Sequence, residues 1–74
     1  MDNKELLIKI LLSGSESGFA ETRASALIAI GESGLIDDER LINALKSGAE
    51  SGSQEVKQGA YTGMGMMLKS ANRQ

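Results

Sequence analysis

The sequence predicts an all-α chain of two stacked helical hairpins, four helices in total, and three observations carry that expectation. The first is an internal repeat. Residues 5–31 return at 39–65, an offset of 34, with twelve of the 27 aligned positions identical. Gly14-Ser-Glu-Ser-Gly18 becomes Gly48-Ala-Glu-Ser-Gly52, and Glu21, Ala26 and Gly31 return as Glu55, Ala60 and Gly65. Repeat periods of roughly 20–50 residues mark supersecondary units that cannot bury an apolar face alone and therefore stack. The second observation is apolar spacing at intervals of three and four, the period of one helix face. The third is composition: with 3% aromatic residues and no proline, the chain lacks the material of several strands, and glycine supplies the punctuation.

The first helix is expected from about Asn3 to Ser13. Asp2 is placed to cap it and Glu5 follows three residues later, as in a capping box. Gly14 stands where a left-handed residue would end it, and Leu7, Ile10 and Leu11 line one face. The second helix runs from about Ala20 to Ile30, closed by Gly31, with Thr22, Ala26, Ala29 and Ile30 on one face. After the linker Glu32-Ser-Gly34, Asp37 or Asp38 starts the third helix. With Asp37 as cap, Ile36 and Leu41 would hold the two positions of a hydrophobic staple. Leu41, Ala44 and Leu45 form its apolar face, and Gly48 follows its end at Ser47. The fourth runs from about Gln54 to Ser70 behind Ser51 or Ser53, with Val56, Ala60, Gly63, Met64 and Met67 on one side. Residues 71–74 should fray. The whole chain, 1–74, is thus one domain of two repeats at about 4–34 and 38–70. Gly59, Gly63 and Gly65 each lower helix propensity by about 1 kcal/mol relative to alanine. Close approach of the paired helix explains them better than a softened segment.

Composition narrows the function classes. The chain has no cysteine and no histidine, so a disulfide and a zinc site are both excluded as staples. A chain this short buries only about 60% of its unfolded surface, which leaves oligomerisation or a partner as the remaining reinforcement. The apolar run Leu6–Leu12, broken by Lys9, is too short to span a membrane, and a cytoplasmic protein with no membrane partner is expected. Eight basic and ten acidic side chains give a net charge of −2. Nucleic-acid readers carry a basic stripe instead, because phosphate neutralisation supplies their affinity.

Thr22-Arg23-x-x-Ala26-x-x-Ala29-Ile30-Gly31 and Val56-Lys57-x-x-Ala60-x-x-Gly63-Met64-Gly65 resemble the inner helix of short HEAT-like repeats of the bilin-lyase type. The pattern there is V-R-x-x-A-x-x-A-L-G. Leu41-Ile42-x-Ala44-Leu45 resembles the preceding helix of the same repeat, and together the likeness covers about residues 4–68. Thr22 departs from the usual valine, glycine-serine loops replace Asp/Pro turns, and two repeats are fewer than such arrays hold. Tetratricopeptide repeats share the period, but their Trp-Leu-Gly-Tyr signature is missing. The resemblance implies paired α/α hairpins that offer a groove or flat face to a partner, and it carries over no catalytic residue and no cofactor.

Without histidine or cysteine, nothing in the chain resembles a nucleophile with its base and orienting group. Asp37, Asp38 and Glu39 follow one another at a helix start, where carboxylates cap and complement the helix dipole; the spacing of an EF-hand is absent. The paired loops Ser13–Gly18 and Ser47–Gly52 read as helix ends and starts, although their N–H groups could also receive an anion. The remaining feature is surplus apolar surface on the terminal helices. Tyr61, Met66 and Leu68 fall off the core face of the fourth helix, while Leu6, Ile8 and Leu12 surround the first. Methionine adapts to irregular partners, and exposed apolar patches mark contacts. Leu6, Ile8, Tyr61, Met66 and Leu68 are therefore the expected contact residues of a non-enzymatic adaptor, regulator or inhibitor. Its partner would be a larger protein or a second copy in a homodimer. Two alternatives stand beside it. A nucleic-acid-associated repeat protein would need Arg23, Lys57, Lys69 and Arg73 to converge. A small-molecule or chromophore binder would have only Phe19 and Tyr61 to hold a planar ligand.

Overall fold

Capping chemistry starts three of the four helices where the sequence places them. The computed structural model describes residues 2–72. Its helices are α1 (Asn3–Ser15), α2 (Ala20–Glu32), α3 (Glu39–Ala49) and α4 (Gln54–Ala71), with no strand among the described residues. Asp2 Oδ1 accepts from the Glu5 amide at 2.7 Å, Asp38 Oδ1 from Arg40 at 3.0 Å and Ser53 Oγ from Val56 at 3.4 Å. Each such bond satisfies one of the orphan amides of a first turn. Asp38 and not Asp37 is the cap, so Ile36 and Leu41 do not occupy staple positions. The Asp2–Glu5 box is also only half formed, because the Glu5 carboxylate turns to Arg40 instead of the Asp2 amide.

The glycines expected just past helix ends lie inside the helices. Gly14, Gly31 and Gly48 are all helical, and among the described residues only Gly34 has a positive φ, at 67°. Gly34 performs the chain reversal after α2, with its amide donating to the Gly31 carbonyl at 3.2 Å. Leu68 occupies the equivalent position in the second repeat. No reversal happens there, and α4 runs for 18 residues against 13 in α2.

Packing explains Gly31, Gly48, Gly59 and Gly63. α1 lies against α2, and α3 against α4; the two hairpins join mainly through α2 and α4, while α1 also meets α3. A Cβ on Gly31 would overlap the Gly63 carbonyl, and one on Gly59 would lie 2.8 Å from the Ala24 Cα. At Gly48 it would lie 2.5 Å from Leu27 Cδ1 and 3.0 Å from the Ala60 Cβ. The two inner helices therefore touch backbone to backbone. Leu27, with no exposed surface, sets its side chain against Gly48, beside Ala60, and its backbone carbonyl against Gly63. Around this contact gather Ile8, Ile30, Leu41, Leu45, Val56 and Met67, all buried. Gly65 does not share the explanation offered for the fourth helix, because among the described residues nothing beyond its own stretch of helix lies within 4 Å of where its Cβ would be.

Two of the expected helix faces are turned. α1 buries Ile8 and Ser15 and half-buries Leu11 and Leu12, leaving Leu7 and Ile10 in solvent. α2 buries Ala24, Leu27, Ile30 and Gly31 while Thr22 is exposed. The physical reason is position in the stack. Leu41, the equivalent of Leu7, is fully covered, and Val56, the equivalent of Thr22, is too. Those residues lie in the second repeat, which packs on the first, whereas no described element lies over Leu7 and Thr22. Among the described residues no helix is long and apolar enough to cross a membrane.

The glycines divide into two classes with opposite responses to alanine. Gly31→Ala or Gly63→Ala should lower stability by about 1–3 kcal/mol through overpacking against backbone. Gly65→Ala should raise it by up to about 1 kcal/mol through helix propensity. Chemical denaturation of the three variants measures this, and a neutral Gly31→Ala would mean that α2 and α4 are not in backbone contact in solution.

Candidate interaction surface

Repeat symmetry gives every residue of one hairpin a counterpart 34 positions away, and burial differs sharply between counterparts. Leu27 becomes Tyr61, which is 57% exposed; Ile30 becomes Met64, half-buried; Gly31 becomes Gly65, with open space beside it. Gly34 becomes Leu68, 61% exposed. Positions 61, 64, 65 and 68 follow the i, i+3, i+4, i+7 spacing of one helix stripe. α4 is thus apolar on two faces, one against α2 and one open. Ile36 and Ile42 border the open stripe. With Met64, Leu68 and the aliphatic stem of Lys46 they line an open groove of about 290 Å³, floored by Leu45 and Met67. This is the C-terminal end of the stack.

The N-terminal end is the complementary set. Leu6, Leu7 and Ile10 stand exposed along α1. Thr22, Ser25 and Ala29 hold the positions that Val56, Gly59 and Gly63 hold in the second repeat. Phe19 belongs to this end by register, three residues before Thr22, and is 76% exposed.

The residues expected to make contacts separate on this frame. Tyr61 and Leu68 share the C-terminal stripe, and Leu6 lies on the other end. Met66 is half-buried and off the stripe. Ile8 is a correction: at 4% exposure it belongs to the core, because α1 turns it toward the second repeat. Leu7, Ile10, Ile36, Ile42 and Met64 were not expected at a surface site, and Phe19 only as half of a planar-ligand pair with Tyr61. The 34-residue offset held the signal for Tyr61 and Met64 together, since both replace residues of the buried α2 face.

Polar groups elsewhere serve the fold. Both glycine-serine loops share one serine pattern. Ser17 and Ser51 donate their amides to Gly14 and Gly48 at 3.1 Å, and their hydroxyls accept from the Phe19 and Ser53 amides at 3.1 and 3.0 Å. Those four amides are engaged within the loops. Arg23 donates through Nε to the Ser15 carbonyl at 3.0 Å and so covers the end of α1. Lys69 is exposed, and Arg73 lies outside the described residues. A groove of about 330 Å³ between α2 and α4 carries Glu21 and Glu55 and no basic residue.

Within Asp37-Asp38-Glu39, the middle carboxylate both caps α3 and accepts from Arg40 Nη2 at 2.8 Å. Arg40 also reaches Glu5 with both terminal nitrogens, at 2.5 and 3.0 Å, and so ties the start of α3 to the start of α1. The hydrogen bond from Arg40 is the first cause that holds the Glu5 carboxyl below its ordinary range, and likewise that of Asp38. The same two carboxylates hold the Arg40 guanidinium more firmly charged. Among the described residues no three potential metal ligands converge.

No protein-family model, curated protein or solved structure matches this chain.

Two measurements follow from these local interactions. Ser53 caps α4 where Phe19 leaves α2 without a side-chain cap. Phe19→Ser should therefore stabilise the chain by about 0.5–2 kcal/mol in thermal unfolding; a loss would mean that Phe19 packs on something in solution. Glu5 and Asp38, with depressed folded-state values, add stability above their unfolded values near pH ~4 and lose it as pH falls further. Wild type should exceed Arg40→Met in unfolding midpoint at neutral pH and converge with it below about pH 3. Added salt should shrink the gap, since the groups are exposed and screened.

Proposed function

We propose that this chain is a non-enzymatic protein–protein interaction module, a small adaptor, regulator or inhibitor of HEAT-like architecture. The observation that carries this reading is the open stripe of α4. Tyr61 and Leu68 are exposed, beside a groove with an apolar lining, at the register where the first repeat makes its own interface. An apolar stripe left exposed beside an apolar groove has the character of a binding surface.

Two other readings have observations against them. For nucleic acid, Arg23 is engaged at the end of α1 and the groove between the inner helices is acidic. Electrostatic binding to phosphate has no basic stripe to draw on. For a planar chromophore, Phe19 and Tyr61 fall by register on opposite ends of the stack. They cannot enclose one ligand between them.

Site-specific photo-crosslinking in cells tests the proposal. A photoreactive phenylalanine analogue at position 61 or 68 should give a covalent adduct of higher mass. The same analogue at Asn43, exposed on α3, should give none. Equal labelling at all three positions, or none at 61 and 68, would overturn the reading.

A further inference from the structure

We infer that the partner of the C-terminal face is the N-terminal face of a second copy of this chain, joined head to tail in the register of the internal repeat. This rests on the interaction-module reading and names its partner.

The internal interface is the template. Leu27 of the first repeat sets its side chain into the notch at Gly48 and Ala60 and its backbone carbonyl against Gly63. Moved back by one repeat, that notch is Gly14 and Ala26, with Ala29 in the place of Gly63, on the N-terminal end. The two notches have the same build: a Cβ on Gly14 would lie 3.1 Å from the Ala26 Cβ, as one on Gly48 lies 3.0 Å from that of Ala60. They differ in one respect. Leu27 crowds the site at Gly48, and among the described residues Ala26 is the only one outside the helix's own backbone within 4 Å at Gly14. The first repeat thus carries an unfilled notch, and moved forward by one repeat the residue that fills it is Tyr61.

Size changes at the two ends compensate one another. Ser25 and Ala29 each carry a Cβ where Gly59 and Gly63 have none, so helices from two copies sit farther apart than α2 and α4. Tyr61 is longer than Leu27 and crosses the wider gap. Gly65, with open space where a Cβ would project, accommodates the Ala29 methyl. On the outer layer, Leu7 and Ile10 repeat the places of Leu41 and Ala44, and Ile42 repeats that of the buried Ile8. Leu6 stands where Arg40 makes its ion pairs, whereas Thr22, Ser25 and Gln58 take the places of Val56, Gly59 and Ala24, so the contact between copies is more apolar on the outer layer and more polar on the inner one.

A second copy also covers both exposed ends with one kind of contact. A symmetric pair through α4 would leave Leu7 and Ile10 in water. A head-to-tail contact is heterologous, so each added copy leaves one free end of each kind, and growth continues unless a ring closes.

Light scattering across a concentration series tests this with two double variants, Tyr61→Glu/Leu68→Glu and Leu7→Glu/Ile10→Glu. All four side chains are exposed, and far-UV circular dichroism checks that helicity is kept. Wild type should climb in average mass beyond two chains as concentration rises. Each variant alone should stay at one chain. Their equal mixture should give two chains and no more, because one intact face of each kind remains. The inference is overturned by a wild type that stays monomeric, by a dimer that survives in either variant, or by a mixture that stays monomeric. A monomeric wild type whose position 61 still crosslinks to a different protein would remove the self-assembly and leave the interaction module standing.

Discussion

The backbone contact between α2 and α4 is the constraint on which the rest of this structure depends. Gly31 against Gly63, and Ala24 against Gly59, bring two helices closer than side chains ordinarily allow. Close approach lets a chain of 74 residues build a dry centre from few large side chains. Leu27 and Ile30 from one hairpin and Leu41 and Val56 from the other are its largest fully buried members. The outer helices then need to cover only one side each, and α1 has no place against α4. Gly14 and Gly48, inside their helices, accept neighbours from the inner layer in the same way.

The same contact makes the two ends of the molecule chemically related. A repeat interface has two unlike surfaces, one presented by each unit. Two repeats use one surface of each and leave the other in water. Exposed Tyr61 and Leu68 at one end, and Leu7 and Ile10 at the other, are the unused halves of that interface. Phe19 sharpens the point. Its counterpart Ser53 caps a helix, a role worth about 1 kcal/mol, and an exposed phenylalanine does not fill it.

Polar chemistry in this chain holds segments together. The serines of both loops, Arg23 and Asp38 all bond to backbone at helix boundaries. Arg40 joins the two hairpins on the outer layer, by way of Glu5. Among the described residues no buried side-chain polar atom lacks a partner. Shape and apolar area at the ends of the stack are the features left to distinguish this molecule.

What the sequence determined by itself was local or periodic. Four helices, the cap at Asp2, the choice of Asp37 or Asp38 and of Ser51 or Ser53 for two further caps, and the 34-residue register all follow from neighbours a few residues apart or from direct comparison of the two halves. Tertiary structure decided the rest. Leu7 and Leu41 are the same residue in the same register, yet one is in water and the other is fully buried. Gly31 and Gly65 are likewise the same residue, one locked against backbone and one facing open space. Glu5 is placed for a capping box and turns to Arg40, which lies 35 positions away. Helical periodicity says which residues share a face, but burial depends on whether another element lies on that side. That neighbour is fixed only when the hairpins stack.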